Sequence, residues 1–152
     1  MLPTPTRYFL TAGCAEGKSH LNAFDNALLN AGIGNINLIR ISSILPPNVR
    51  YDPHIVLPRG SLVPTAYGYI ISDVPGELIA AAVGVAIAED GFGVIMEFAG
   101  KCSLEAAREA VDAMLEEAFA RRGLVALEKK IEACAHKVVK IGCCLAAVPL
   151  WY

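Results

Sequence analysis

Leu78-Ile79-Ala80-Ala81-Ala82-Val83-Gly84-Val85-Ala86-Ile87-Ala88 is the longest unbroken apolar stretch in a chain of 152 residues. Eleven residues are too few to span a bilayer as a helix, which takes about 20. The stretch therefore reads as a core element. Its type stays open, because the alanines favour a helix while Val83, Val85 and Ile87 suit a strand. Asp73-Val74-Pro75-Gly76 just before it is a turn. Thr65 to Ser72 is a strand candidate with Tyr67 and Tyr69 on one face. Gly91 to Phe98 is another, and it sets Glu97 behind Val94-Ile95-Met96.

Further out, Tyr8 to Ala12 predicts a short strand. Ile36 to Leu45 predicts a buried strand stopped by Pro46-Pro47. Residues 48–60 read as an irregular loop. Leu124 onward is first charged and then, from Ile141 to Tyr152, apolar enough for a buried strand. Two helices stand out. One runs from an N-cap at Ser103 along Leu104, Ala107, Val111, Met114, Leu115, Ala118 and Phe119 to a stop at Gly123. The other lies within Lys18 to Asn30, with Asn22 as its cap, Asp25 three residues on, and Gly32 ending it. Strands interrupted by two helices, without a linker or repeat, predict one α+β domain over residues 1–152, with the helices packed on a mostly antiparallel sheet.

Hydrophobic residues make up 55% and charged residues 18%. With no membrane span expected, a homo-oligomer is the simplest cover for so much apolar surface. The net charge is −2, and Arg121-Arg122 and Lys129-Lys130 are the only basic clusters. Nucleic-acid binding is not expected. Met1 to Tyr8 lacks the basic-then-apolar layout of a signal peptide, so a cytoplasmic protein is expected. Cys14, Cys102, Cys134, Cys143 and Cys144 show no zinc-ligand spacing and read as free thiols in a reducing compartment, with no metal. Gly32-Ile33-Gly34 lacks a third glycine and follows a helix, which fits a backbone turn better than a phosphate loop. His20, His54 and His136 are scattered and read as solvated or satisfied.

Ser42-Ser43 is the unusual pair, set in the apolar run Ile36-Asn37-Leu38-Ile39-Arg40-Ile41-Ser42-Ser43-Ile44-Leu45-Pro46-Pro47. A serine hydroxyl can attack the carbonyl of the preceding peptide bond. The ester so formed can eliminate to dehydroalanine, which hydrolyses to a pyruvoyl group. By residue type alone, a polar strand end before Pro-Pro is the commoner reading. Glu97, behind an apolar strand, is either an edge acid reaching solvent or a desolvated proton donor. Asp25 is either a first-turn acid favouring the helix dipole or a partner for a cationic ligand. Asn37 is a polar residue six positions before Ser43.

Together these segments resemble the pyruvoyl-dependent arginine decarboxylases. The resemblance runs through Asn22 to Pro47, Gly60 to Gly76, Ile95-Met96-Glu97-Phe98-Ala99-Gly100-Lys101-Cys102 and the closing Leu150-Trp151-Tyr152, and covers nearly the whole chain. It implies self-cleavage into residues 1–42 and 43–152, with Ser43 becoming a covalent pyruvoyl cofactor and Ser42 a new carboxylate. It implies conversion of L-arginine to agmatine and CO2 through a Schiff base on that ketone. Glu97 matches the family's proton donor and Asn37 the polar residue beside the pyruvoyl carbonyl. Asp25 matches the partner of the guanidinium, and Gly34 and Ile36 the backbone-lined pocket. It further implies an αββα sandwich assembled as a trimer with sites between neighbouring subunits, and it makes strands of Leu78 to Ala88 and of Ile131 to Val139. Ala99 departs from the larger or acidic residue frequent in the family. The alternatives are a pyruvoyl decarboxylase of another amino acid, or an unprocessed oligomeric module that binds a small cation.

Overall fold

The computed structural model describes residues 2–152. Among them the chain runs through β1 (Arg7–Tyr8), β2 (Thr11–Glu16), α1 (His20–Asn30), β3 (Asn37–Arg40), β4 (Ile44–Leu45), β5 (Arg50–Tyr51) and β6 (Leu62–Ser72). It continues through β7 (Leu78–Ile87), β8 (Gly93–Gly100), α2 (Leu104–Arg122), β9 (Glu128–Lys137) and β10 (Gly142–Trp151). One sheet has the order β3-β6-β10-β1-β5, with β2 also paired to β10; the other has the order β4-β8-β7-β9. Pairing is antiparallel except for β3 with β6 and β1 with β5. α1 packs on the first sheet, α2 on the second, and β6 and β10 face β7 and β8. This is the αββα sandwich the family resemblance implies.

Packing on both faces explains why the longest apolar run is a strand. Successive β7 side chains point to opposite sides. Ile79, Ala81, Val83 and Val85 enter the core between the sheets, while Ala80, Ala82 and Ala86 lie beneath α2. The alanines are there because the helix sits close. A Cβ on Gly84 would lie 2.5 Å from Val111 Cγ1 and 2.8 Å from Leu115 Cδ1. β10 repeats the arrangement, with Cys144, Ala146, Val148 and Leu150 between the sheets and Cys143, Leu145 and Ala147 against α1. With neither face wet, neither strand needs a polar residue, and tertiary packing outweighs alanine's helical preference.

α2 forms where its pattern predicts. Ser103 Oγ accepts the Ala106 N–H at 3.1 Å, and Gly123 closes the helix at φ 65°, a left-handed conformation that suits glycine. α1 departs from expectation at its start. Ser19, not Asn22, is the N-cap, its Oγ accepting the Asn22 N–H at 3.1 Å. Asp25 consequently lies in the second turn, outside the reach of a first-turn dipole effect. The larger correction concerns Ile36 to Leu45, which is not one buried strand. Asn37–Arg40 pairs with β6 in the first sheet and Ile44–Leu45 with β8 in the second. Both pieces lie at sheet edges, so most of β3 is exposed. The loop over 48–60 holds the two-residue β5, and the charged stretch after Leu124 contains β9. No helix among the described residues is long and apolar enough to cross a membrane.

Candidate active site

The crossing between the sheets sets the position of the serine pair. Ile41 N–H donates to Thr65 O at 3.1 Å on one side, and Ser43 O accepts the Ile95 N–H at 2.7 Å on the other. The Ser42–Ser43 peptide is thus tethered to β6 behind it and to β8 ahead of it. Ser42 is exposed and Ser43 half-buried. The hydroxyl of Ser43 is adjacent in sequence to the carbonyl it would attack.

Glu97 lies two residues along β8 from Ile95, on the same inter-sheet face, about 7 Å of strand away. Its side chain presses on β6 at a glycine. A Cβ on Gly68 would come within 3.2 Å of Glu97 Cγ. A glycine inside a strand marks this kind of close approach. Glu97 Oε2 is buried and has no hydrogen-bond partner. Burial raises the carboxyl above its ordinary range, and the nearby positive charge of Arg40 partly opposes the rise. Arg40, at the end of β3, lies 4.2 Å from the Tyr67 ring centroid and donates to the Tyr67 carbonyl. The guanidinium is thereby held at the edge where the serine crossing begins. A half-buried serine, an acid whose carboxyl is shifted upward by burial and a tethered cation form an arrangement chemically able to transfer protons.

The other sequence candidates lie apart from this group within one protomer. Asn37 begins β3, about 10 Å of strand before Arg40; it is exposed, and its Nδ2 donates to Gly60 O at 3.4 Å. Gly34 and Ile36 line a hollow of about 540 Å³ with Phe9, Leu29 and Arg59. Ser42 lines a different one, about 320 Å³ and apolar, with Ile39, Ile44, Leu62 and Tyr152. Asp25 is exposed on α1 and lines neither. The structure therefore brings Ser42, Ser43 and Glu97 to one region, and Gly34 and Ile36 to another. No sequence pattern marks Arg40 or Gly68 as a site residue, and Tyr67 stands out only as part of a strand face; the glycine inside a strand is the available signal. Two histidines have carboxylate partners: His136 Nε2 meets Glu16 Oε2 at 2.6 Å, and the exposed His20 Nε2 lies 3.5 Å from Asp73 Oδ2.

Comparison with known proteins establishes the family. The pyruvoyl-dependent arginine decarboxylase family matches residues 7–152. A pyruvoyl-dependent arginine decarboxylase of Methanocaldococcus jannaschii is 55% identical over 150 residues, covering 97% of this chain and 91% of its own. Those of Methanococcus vannielii and Thermococcus kodakarensis are 47% and 46% identical, covering 97% and 90% of this chain and 92% and 88% of theirs. With the match spanning both sheets, both helices and the serine crossing, the chain belongs to the pyruvoyl-dependent arginine decarboxylase family.

Proposed function

We propose that the chain cleaves itself between Ser42 and Ser43 and then converts L-arginine to agmatine and CO2. The observation that carries the reading is Glu97, a half-buried acid whose buried Oε2 has no partner, on the strand that holds Ser43. In the cleavage, Ser43 Oγ attacks the Ser42 carbonyl carbon and the peptide C–N bond breaks. The ester then breaks its Cβ–O bond as the Cα proton of residue 43 leaves, which gives Ser42 a carboxylate and residue 43 a Cα=Cβ double bond. Tautomerisation moves a proton to Cβ, and water adds at Cα to form the ketone and release the nitrogen as ammonia. Tethers on both sides of the serine pair support this, because they fix the scissile peptide while its two sides stay in separate sheets.

The residues present fit a pyruvoyl group at position 43. Gly68 leaves the inter-sheet face clear beside Glu97, and the free Glu97 oxygen lacks any other partner. That group supplies an electrophilic carbonyl whose amide accepts the electron pair of the departing carboxylate. Glu97, whose carboxyl burial shifts upward, delivers the proton that replaces CO2 on the substrate carbon. Arg40 limits how far the Glu97 carboxyl is raised, and so eases release of its proton to the substrate carbon. Asp25 takes the guanidinium of the substrate, Asn37 orients the group at position 43, and Gly34 and Ile36 shape the pocket.

The separation of these two sets within one protomer supports a site completed by a neighbouring copy, in a trimer. Exposed Ile39, Ile44 and Leu62 beside the serines support the same assembly. Free thiols support a cytoplasmic location. The test is mass spectrometry of purified protein with a carbonyl reagent, alongside release of labelled CO2 from arginine. Fragments 1–42 and 43–152, the larger bearing a reactive ketone, are expected, and Ser43→Ala should give one intact chain. A ketone-free chain that still decarboxylates arginine would overturn the proposal. Unchanged arginine turnover in Asp25→Asn would overturn the guanidinium assignment alone.

A further inference from the structure

Three of the five cysteines meet between the sheets although nothing in their spacing along the chain suggests it. Cys14 on β2 and Cys144 on β10 are direct register partners. Cys134 comes from β9 in the opposite sheet. All three belong to the inter-sheet core, with Cys144 buried and the other two half-buried. Their sulfurs lie within 4.8 Å of one another, and those of Cys14 and Cys144 are 2.7 Å apart. Cys143 points the other way, beneath α1, where burial pushes its thiol up to about 12. Cys102 packs on the α2 side of the second sheet.

The donors decide the class of ligand. Three sulfurs bound at about 2.3 Å around one ion stand about 4 Å apart, so an ion of that size bridges the cluster with small side-chain shifts. No carboxylate belongs to the cluster, which disfavours hard cations such as Mg²⁺ and Ca²⁺. One step along the same faces, two residues from Cys134 and from Cys14, the His136 ring is engaged by Glu16 at 2.6 Å. Glu16 in turn accepts backbone N–H groups of Lys140 at 2.8 Å and Ile141 at 3.1 Å. That pairing occupies the imidazole nitrogen one step along the strand from Cys134. Three-coordinate thiolate binding suits a soft ion such as Cu(I) better than tetrahedral Zn²⁺.

We propose that Cys14, Cys134 and Cys144 form a three-sulfur site for a soft, thiophilic metal ion. Binding forms three metal–sulfur bonds and releases the thiol protons to solvent, with no change of oxidation state. The half-buried Cys14 and Cys134 give the ion its way in. The site stands whether or not the chain is cleaved. If it is cleaved as proposed above, Cys14 belongs to the smaller product and the other two to the larger, so the ion ties the products together.

The test is anaerobic titration of the reduced, purified protein with Cu(I) supplied in acetonitrile. Near-ultraviolet sulfur-to-metal absorption should saturate at one ion per protomer. Cys134→Ala should weaken binding at least tenfold, while Cys143→Ala and Cys102→Ala should not. X-ray absorption of the loaded wild type, which does not depend on any variant folding, should show three sulfurs at about 2.3 Å. A shell of two sulfurs, or one mixed with nitrogen or oxygen, would overturn the proposal. So would equal binding by folded Cys134→Ala. A Cys14–Cys144 disulfide in the freshly reduced protein, seen as three titratable thiols instead of five, would overturn it as well.

Discussion

β7 and the segment from Asn37 to Leu45 look alike in sequence and end in opposite circumstances. Both are short and rich in aliphatic residues. β7 lies in the middle of its sheet, paired with β8 and β9 and covered on both faces. Asn37 to Leu45 runs along two sheet edges and changes sheets at the serines. Its Ile39 and Ile44 remain 43% and 40% exposed, and the neighbouring Leu62 is 62% exposed. Apolar content therefore marks the core in one segment, whereas in the other it marks the surroundings of the Ser42–Ser43 peptide and an exposed sheet edge.

The largest effect should come at the chemical end of this contrast. Glu97→Gln is expected to lower kcat by roughly 10²- to 10⁴-fold, the usual worth of a positioned acid, while self-cleavage persists. The buried carboxyl also sets the pH response. Its folded-state pKa is raised, so its stabilising contribution is full below the unfolded value and is lost as pH rises through the folded one. In the wild type kcat should fall over that same upper window, and denaturation across pH should show the matching loss, absent from Glu97→Gln. Loss of cleavage together with turnover would place Glu97 in processing instead.

Next in size is a truncation beneath the covered strand. Leu115 is fully buried against β7, and Leu115→Ala should cost about 2–5 kcal/mol by denaturant titration. A loss below about 1 kcal/mol would show that the β7–α2 layer can collapse around the gap.

Arg40→Met should move the alkaline limb of kcat to higher pH, because the charge that opposes the raised Glu97 carboxyl is gone. A limb that stays in place would uncouple the two residues. The smallest effect belongs to the edge. Ile39→Ser should change the stability of an isolated protomer by no more than about 0.5 kcal/mol, the range for exposed sites. Light scattering should nonetheless show weaker association. A large loss in the protomer itself would mean that the edge strand, like β7, contributes to the core.

The sequence made α2 legible down to its ends, because a serine cap, a one-sided apolar face and a terminal glycine are local signals. It also put forward Ser42, Ser43 and Glu97 as candidates, since the family pattern is carried by contiguous segments, but it set beside them Asn37 and Asp25, which one protomer keeps apart. Local chemistry could not show which side chains meet. The alanines of β7 follow from the approach of α2, which only the packed sandwich reveals. The break of Ile36 to Leu45 into two strands depends on which sheet edge each half finds. Glu97 loses its solvent because β6 places a glycine opposite it, and three cysteines spaced far apart in the chain converge because β2, β9 and β10 face one another. Sequence determined α2 and the identity of the candidate groups through interactions a few residues long. Tertiary structure decided desolvation, tethering and convergence, because those arise between residues that only the folded layers bring into contact.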